Sequence, residues 1–158
     1  MMGVDFRAAS LADLPTIVEL LSASGLPLSG VEGHIENFLL IFQDGSLAAC
    51  AGLERYGATA LLRSVAVAEQ HRGEGLAQSL VAQLIDIARA DGTESLLLLT
   101  ITAAGFFERF GFRAISRDQA PAAVQSSVQF QGTCPASASL MRLDLRLPET
   151  VHQSTRST

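Results

Sequence analysis

The chain has 158 residues, 48% hydrophobic and 17% charged, with a formal net charge of -5 at pH 7. That length suits one domain around one core, and the apolar content is too high for a disordered chain. The acidic balance argues against nucleic acid as the main partner, because phosphate binding needs a basic face. No apolar run approaches the roughly 18 residues of a membrane span. The first residues lack the basic flank and apolar stretch of a secretion signal. Cys50 and Cys134 match no metal spacing, and the three histidines are scattered. A cytoplasmic domain with no membrane partner and no metal is therefore expected.

Val4 to Ala8 alternates apolar and polar residues, as a half-buried strand does. Ser10 is positioned as an N-cap for a helix whose apolar face is Leu14, Ile17, Val18, Leu20 and Leu21, ended by Gly25. A short helical turn holds His34 and Ile35. Asn37 to Gln43 and Leu47 to Arg55 read as two strands joined at Asp44-Gly45, a strong hairpin signal. Ala60 to Ala68 is a fourth strand, with Arg63 at its opening. Gly75 to Ala90 is a long helix burying Leu76, Leu80, Leu84, Ile85 and Ala88. Ser95 to Thr100 is a strand apolar on both faces, as in a parallel pairing. A short helix from Ala103 to Phe110, a strand from Phe112 to Ser116, a helix from Ala120 to Ser127 and a final strand from Ala138 to Leu145 complete one domain over residues 1–147. Residues 148–158 form a polar tail. The sum is a mixed sheet with helices on its faces.

The segment from Arg63 to Ala77 carries the chemistry. It runs strand, tight turn with Gly73 and Gly75, then long helix. A helix start leaves backbone amides unpaired and carries a positive dipole end, so such a turn can cradle an anion. The same glycines also serve a turn that binds nothing. A dinucleotide fingerprint is absent, with two glycines rather than three, and no P-loop lysine follows.

Gln70-x-x-Gly73-x-Gly75 resembles the pyrophosphate-binding signature of the GNAT acetyltransferases, Gln/Arg-x-x-Gly-x-Gly/Ala. Ala103-x-x-Phe106-Phe107-x-x-x-Gly111-Phe112 is similar to the second signature of that family. The likeness covers roughly Val4 to Leu145. It implies a mostly antiparallel mixed sheet splayed in a V between strands 4 and 5, with helices on both faces. It also implies acetyl-CoA as acetyl donor and a small-molecule amine as acceptor. The coenzyme would meet Gln70, Arg72, Gly73, Glu74, Gly75, Leu76 and Ala77 at its pyrophosphate, with Thr100, Phe106, Phe107 and Arg109 beside it. The backbone of Val65 and Val67 would pair with the pantetheine arm, and an amide of Val65 or Ala66 would polarise the thioester carbonyl. Many members have a tyrosine at the position of Phe107 and an asparagine at that of Thr100. Phe107 has no proton to give, so a water, Ser64 or Tyr56 would serve the leaving thiolate, or it would leave unaided.

Attack on a thioester needs a neutral amine, and a carboxylate in the cleft is the usual base. Glu54 is the candidate; the other reading is a solvated strand-end charge paired with Arg55. Arg63 and Arg117 offer planar forks that match a carboxylate, which points to an anionic acceptor such as an amino acid, with Tyr56 beside it. A narrower likeness, carried by Leu62-Arg63-Ser64, Arg117-x-x-x-Pro121 and Phe130-x-x-x-Cys134-Pro135-x-Ser137-Ala138, is to the GNAT subgroup associated with bacterial arsenic resistance; N-acetylglutamate synthases share the Leu98 to Phe112 segment. It implies an amino acid, or a mimic bearing an arsenic or phosphorus acid group, as acceptor. A peptide acetyltransferase and a non-catalytic acetyl-CoA-binding module are the rival readings, and a homodimer is compatible with one such domain.

Overall fold

The computed structural model describes residues 5–125, 127 and 138–145. The first alternating stretch becomes strand β1 (Phe6–Ala8). Asp13 then accepts the Ser10 amide at 2.8 Å, closing the turn that leads into helix α1 (Leu14–Ala23). A 3-10 turn, Glu32–Asn37, holds His34 and Ile35. Strands β2 (Phe38–Gln43) and β3 (Ser46–Tyr56) meet at Asp44-Gly45, both at positive φ, as a two-residue hairpin requires. Next come β4 (Thr59–Val67), α2 (Leu76–Ala90), β5 (Ser95–Thr100) and α3 (Ala104–Glu108). The described chain closes with β6 (Arg113–Ile115), α4 (Ala122–Gln125) and β7 (Ser139–Asp144).

Every expected element with described residues is present, with its ends shifted by a few positions. One boundary matters: β4 starts at Thr59, so Arg63 stands mid-strand rather than at the strand's opening. Val4, Phe130, Cys134, Pro135, Ser137, His152 and the expected tail lie outside the described residues.

The sheet order is β1-β2-β3-β4-β5-β7-β6, and β4 with β5 is its parallel pair. The closing strand therefore inserts between β5 and β6. The β4–β5 ladder covers Thr59 to Leu61 against Ser95 to Leu97. Beyond it β5 stays paired with β7 as far as Thr100, and β4 stays paired with β3 as far as Val67. From Leu62 and Leu98 onward the two strands part, which is the expected V-shaped splay. A second irregularity lies on β4 itself. Cys50 pairs with Ala66 and Gly52 with Arg63, so two steps on β3 match three on β4. The extra residue is a β-bulge, and Ser64 in it has φ +60°.

One face of the sheet is covered by α2 and α3 through Leu76, Leu80, Leu84 and Phe107, which pack on Leu53, Leu62, Leu96 and Leu98. The other face carries two apolar clusters. Under α1 lie Ile17, Leu21, Phe38, Leu40 and Cys50; under α4 lie Val124, Leu61, Leu97 and Leu140. Alternation along β3 puts Cys50, Gly52, Glu54 and Tyr56 on this second face. Cys50 belongs to the first cluster and Tyr56 packs against the second, so Glu54 falls on the seam between them.

Candidate active site

The glycine turn is built as the sequence suggested. Gly73 has φ +87° and Gly75 φ +80°, the left-handed region that favours glycine. The Ser79 amide returns the first helical bond to the Gly75 carbonyl at 3.0 Å. The amides from Leu76 to Gln78 therefore precede the ladder and have no partner within the helix. A Cβ built on either glycine meets no protein atom within 4 Å, so the space above the turn is open. A pocket of ≈150 Å³ lies there, lined by Val67, His71, Arg72, Gly73, Gly75, Leu76, Ala77, Gln78 and Phe106. Open space, left-handed glycines and a helix start fit a pyrophosphate.

Not every residue expected at the cradle contributes in the expected way. The Arg72 amide donates to the Glu69 carbonyl at 3.3 Å and its Nε to the Val67 carbonyl at 3.2 Å, so the row of open amides starts after it. Gln70, Glu74 and Arg109 are exposed. Thr100 uses its hydroxyl to accept the Ala103 amide at 3.1 Å, tying the end of β5 to the start of α3. Phe107 is 7% exposed and packs edge-on against Phe106 and Phe112, so its ring is a core residue rather than a wall of the pocket.

On the opposite face the seam carries a buried polar cluster. Glu54 is fully buried, with 0% exposure. Its Oε2 accepts from Arg63 Nη1 at 2.6 Å, and its Oε1 accepts from Tyr56 Oη at 2.5 Å and Ser127 Oγ at 2.6 Å. His34 Nε2 stands 4.0 Å from Oε1. Burial pushes the Glu54 carboxyl pKa up. The hydrogen bonds from Ser127, Tyr56 and Arg63 outweigh that and hold it below the ordinary carboxylate value. Tyr56 moves the other way: burial and its bond to the Glu54 carboxylate raise the phenol.

Two expectations change here. Glu54 is not a solvated charge beside Arg55, because β-alternation sends neighbours to opposite faces; Arg55 pairs with Asn37 at 2.9 Å and Asp91 at 3.0 Å instead. Arg63 was expected to hold an acceptor carboxylate. It is 4% exposed, and besides Glu54 it donates to Ser64 Oγ at 2.9 Å and to the Pro27 carbonyl at 3.3 Å, so its fork is committed within the protein. Arg117 lies elsewhere, donating to the Ala138 carbonyl at 3.1 Å. Ala138 precedes Ser139, which pairs with Thr100, so Arg117 stands at the open end of the splay. Ser127, His34 and the Pro27 carbonyl are members of the Glu54 cluster that sequence reasoning missed. Nothing local marks them; Ser127 lies 73 positions from Glu54.

Residues 19–112 match the acetyltransferase (GNAT) family, a span that contains both the cradle and the splayed strands. The chain belongs to the GNAT family. By that match it is a GNAT acetyltransferase domain. It is 31% identical over 127 residues to an amino-acid acetyltransferase of Neisseria meningitidis, an alignment covering 75% of this chain and 29% of that protein. An uncharacterised N-acetyltransferase of Chlorobaculum tepidum is 30% identical over 123 residues, 73% of this chain and 79% of that one. Among solved structures, N-acetylglutamate synthase of Neisseria gonorrhoeae, complexed with coenzyme A and N-acetyl-glutamate, superposes with a TM-score of 0.79 at 26% identity. That match covers 93% of this GNAT chain and 36% of the synthase. The chain thus spans only about a third of the amino-acid acetyltransferases it resembles. Among the described residues no helix is long and apolar enough to cross a membrane.

Proposed function

We propose that this domain transfers the acetyl group of acetyl-CoA to the amino group of an amino acid or a close analogue, including one with an arsenic or phosphorus acid in place of a carboxylate. The observation that carries the reading is the pairing of two features at one place: the open glycine cradle at α2, and the β4 edge that the splay leaves without a ladder. The names of the related amino-acid acetyltransferases support the acceptor class. The subgroup likeness of Leu62-Arg63-Ser64 and Arg117-x-x-x-Pro121 supports the analogue.

The amides from Gly73 to Ala77 hold the pyrophosphate, aided by the α2 dipole. The edge of β4 at Val65 and Val67 offers backbone groups to an extended chain, as an unpaired strand does. When bound, acetyl-CoA supplies a thioester whose C–S bond breaks, its electron pair leaving on sulfur, as the acceptor nitrogen bonds to the acyl carbon. An amide at Val65 or Ala66 draws charge onto the acyl oxygen. Glu54, ionised throughout the neutral range, takes the amine's proton through the Tyr56 hydroxyl that donates to it. Tyr56 stays a protonated phenol, and Ser64, on the bulge, is bound to Arg63. The thiol released has a pKa of about 8.5, so little assistance is needed where Phe107 has none to give. Arg117, at the mouth of the splay, holds the acceptor's acid group.

The test is thiol release from acetyl-CoA across free amino acids, their phosphorus and arsenic analogues, and peptides. Turnover with free amino acids or analogues and not peptides is the expected result; turnover confined to peptides would overturn the acceptor class. The buried, unreactive Phe107 favours one other reading, a domain that binds acetyl-CoA without turnover. Tight binding with no thiol release for any amine would establish it.

A further inference from the structure

We infer that Arg63 is a positioning residue: it holds the β4 bulge at Ser64 in the conformation that aims the next amides, Val65 and Ala66, at the acyl carbonyl. The inference rests on the reading of this domain as an acetyl-CoA-dependent transferase.

Among the described residues two that are not glycine have positive φ, Asp44 at +54° and Ser64 at +60°. Asp44 belongs to a hairpin turn, where aspartate tolerates that region. Ser64 lies within a strand, where the conformation is strained and persists only if its surroundings fix it. Two bonds do so. Arg63 Nε donates to Ser64 Oγ at 2.9 Å, and the Cys50 thiol donates to the Ser64 carbonyl at 3.4 Å.

Arg63 is itself immobilised. Nη1 is bound to Glu54 at 2.6 Å and Nη2 to the Pro27 carbonyl at 3.3 Å, and Glu54 is held in turn by Tyr56 and Ser127. One planar guanidinium thus joins the loop after α1, the centre of the sheet and the bulge. Its three N–H directions are fixed relative to one another, which a lysine ammonium cannot reproduce. The location gives the device its use. The β4–β5 ladder stops at Leu61, two residues before Arg63, and the bulge opens the strand edge that follows. A change in Ser64 φ would rotate the amides of Val65 and Ala66 away from whatever occupies the splay.

The experiment uses acetyl-CoA labelled with 13C at the acyl carbonyl, bound to the whole chain and read by isotope-edited infrared spectroscopy. In the native protein, polarisation by the amides lowers the carbonyl stretch relative to free acetyl-CoA. Arg63→Lys keeps a cation against Glu54 and loses the fork to Ser64. The expected result is affinity for coenzyme A within about twofold of native, a carbonyl stretch back at its free value, and kcat lower on the order of 100-fold at unchanged KM for acetyl-CoA. The double variant Glu54→Gln with Arg63→Met leaves no charge stranded, and the same spectral loss is expected if the lysine variant proves unstable. A folded variant of either kind that keeps the native carbonyl shift would overturn the positioning role alone. Absence of acetyl-CoA binding to the native protein would overturn the transferase reading and this inference with it.

Discussion

Glu54 and Ser127 are 73 positions apart in the chain and 2.6 Å apart in the fold. That contact stitches the segment after α4 onto the middle of the sheet, at the seam between the apolar clusters under α1 and under α4. Because the same carboxylate also binds Arg63 and Tyr56, removing a partner has consequences that depend on which one is removed.

Glu54→Ala strands the Arg63 guanidinium in the interior without its counter-charge. A loss of about 3–5 kcal/mol is expected, as for other broken buried pairs. The double variant Glu54→Leu with Arg63→Met recovers a large part of that loss. Ser127→Ala costs about 1 kcal/mol, one hydrogen bond. Urea unfolding of the four proteins checks the order; equal losses for the single Glu54→Ala and double variants would show that the pair is not coupled.

Stability depends on pH at both ends of the scale. The Glu54 carboxyl has a lower pKa folded than unfolded, so the native state binds fewer protons through that window and stability rises with pH there. The contribution is present above the unfolded value of about 4.3 and fades as the pH drops below it. Tyr56, raised in the fold, contributes below its unfolded value of about 10 and loses that contribution in stronger alkali. Asp13, held at about 2 by its hydrogen bonds from Arg7 and Ser10, adds a small exposed contribution to the acid limb. Urea midpoints against pH should decline on both sides. The gap between native protein and Glu54→Gln should narrow as the pH falls from 5 to 3; a constant gap would mean the carboxylate is not held in its charged form.

Gly75→Ala and Gly75→Glu separate strain from electrostatics at the cradle. Either side chain must adopt φ +80°, at a cost of about 1–3 kcal/mol. Only glutamate adds a negative charge at the proposed phosphate site. Calorimetry with coenzyme A should show weakened binding for the alanine variant and none for the glutamate variant. Unchanged affinity in Gly75→Glu would displace the pyrophosphate from this turn.

Gly52 is needed for a different reason. It has no positive φ, but a Cβ there would overlap the ring of Phe38, which is 1% exposed and cannot swing away. Gly52→Ala should cost about 1–3 kcal/mol through overpacking. Thermal melting with a Phe38→Leu background, which frees the space, should show the penalty reduced. An equal penalty in both backgrounds would locate it elsewhere.

Cys50 should be chemically silent in the native state. Burial pushes its thiol up to about 12, leaving almost no thiolate at neutral pH. Mass spectrometry of its peptide after exposure to an alkylating reagent should show labelling only once urea unfolds the chain.

Local features told much of this in advance. The Asp44-Gly45 hairpin, the α2 stripe of Leu76, Leu80 and Leu84, and the Gly73–Gly75 turn are all governed by backbone preferences and periodicities within a few residues, so they could be read from the chain. The same holds for the apolar β5 strand, whose two buried faces announced its place inside the sheet. The partners of Glu54 could not be read that way. Its nearest charged neighbour in sequence, Arg55, points to the other face, while its true partners arrive from β4 and from the segment after α4. Pairing register decided that Arg63 reaches Glu54 rather than solvent, and an unforeseen bulge at Ser64 put an extra residue where the splay begins. The insertion of β7 between β5 and β6 likewise depends on which edges were left to pair. Sequence determined the elements and the glycine turn at the start of α2, because both follow from local dihedral and hydrogen-bonding needs. Tertiary structure decided which buried charges meet, because a charge forced out of water is held by whatever partner the packed sheet brings within reach.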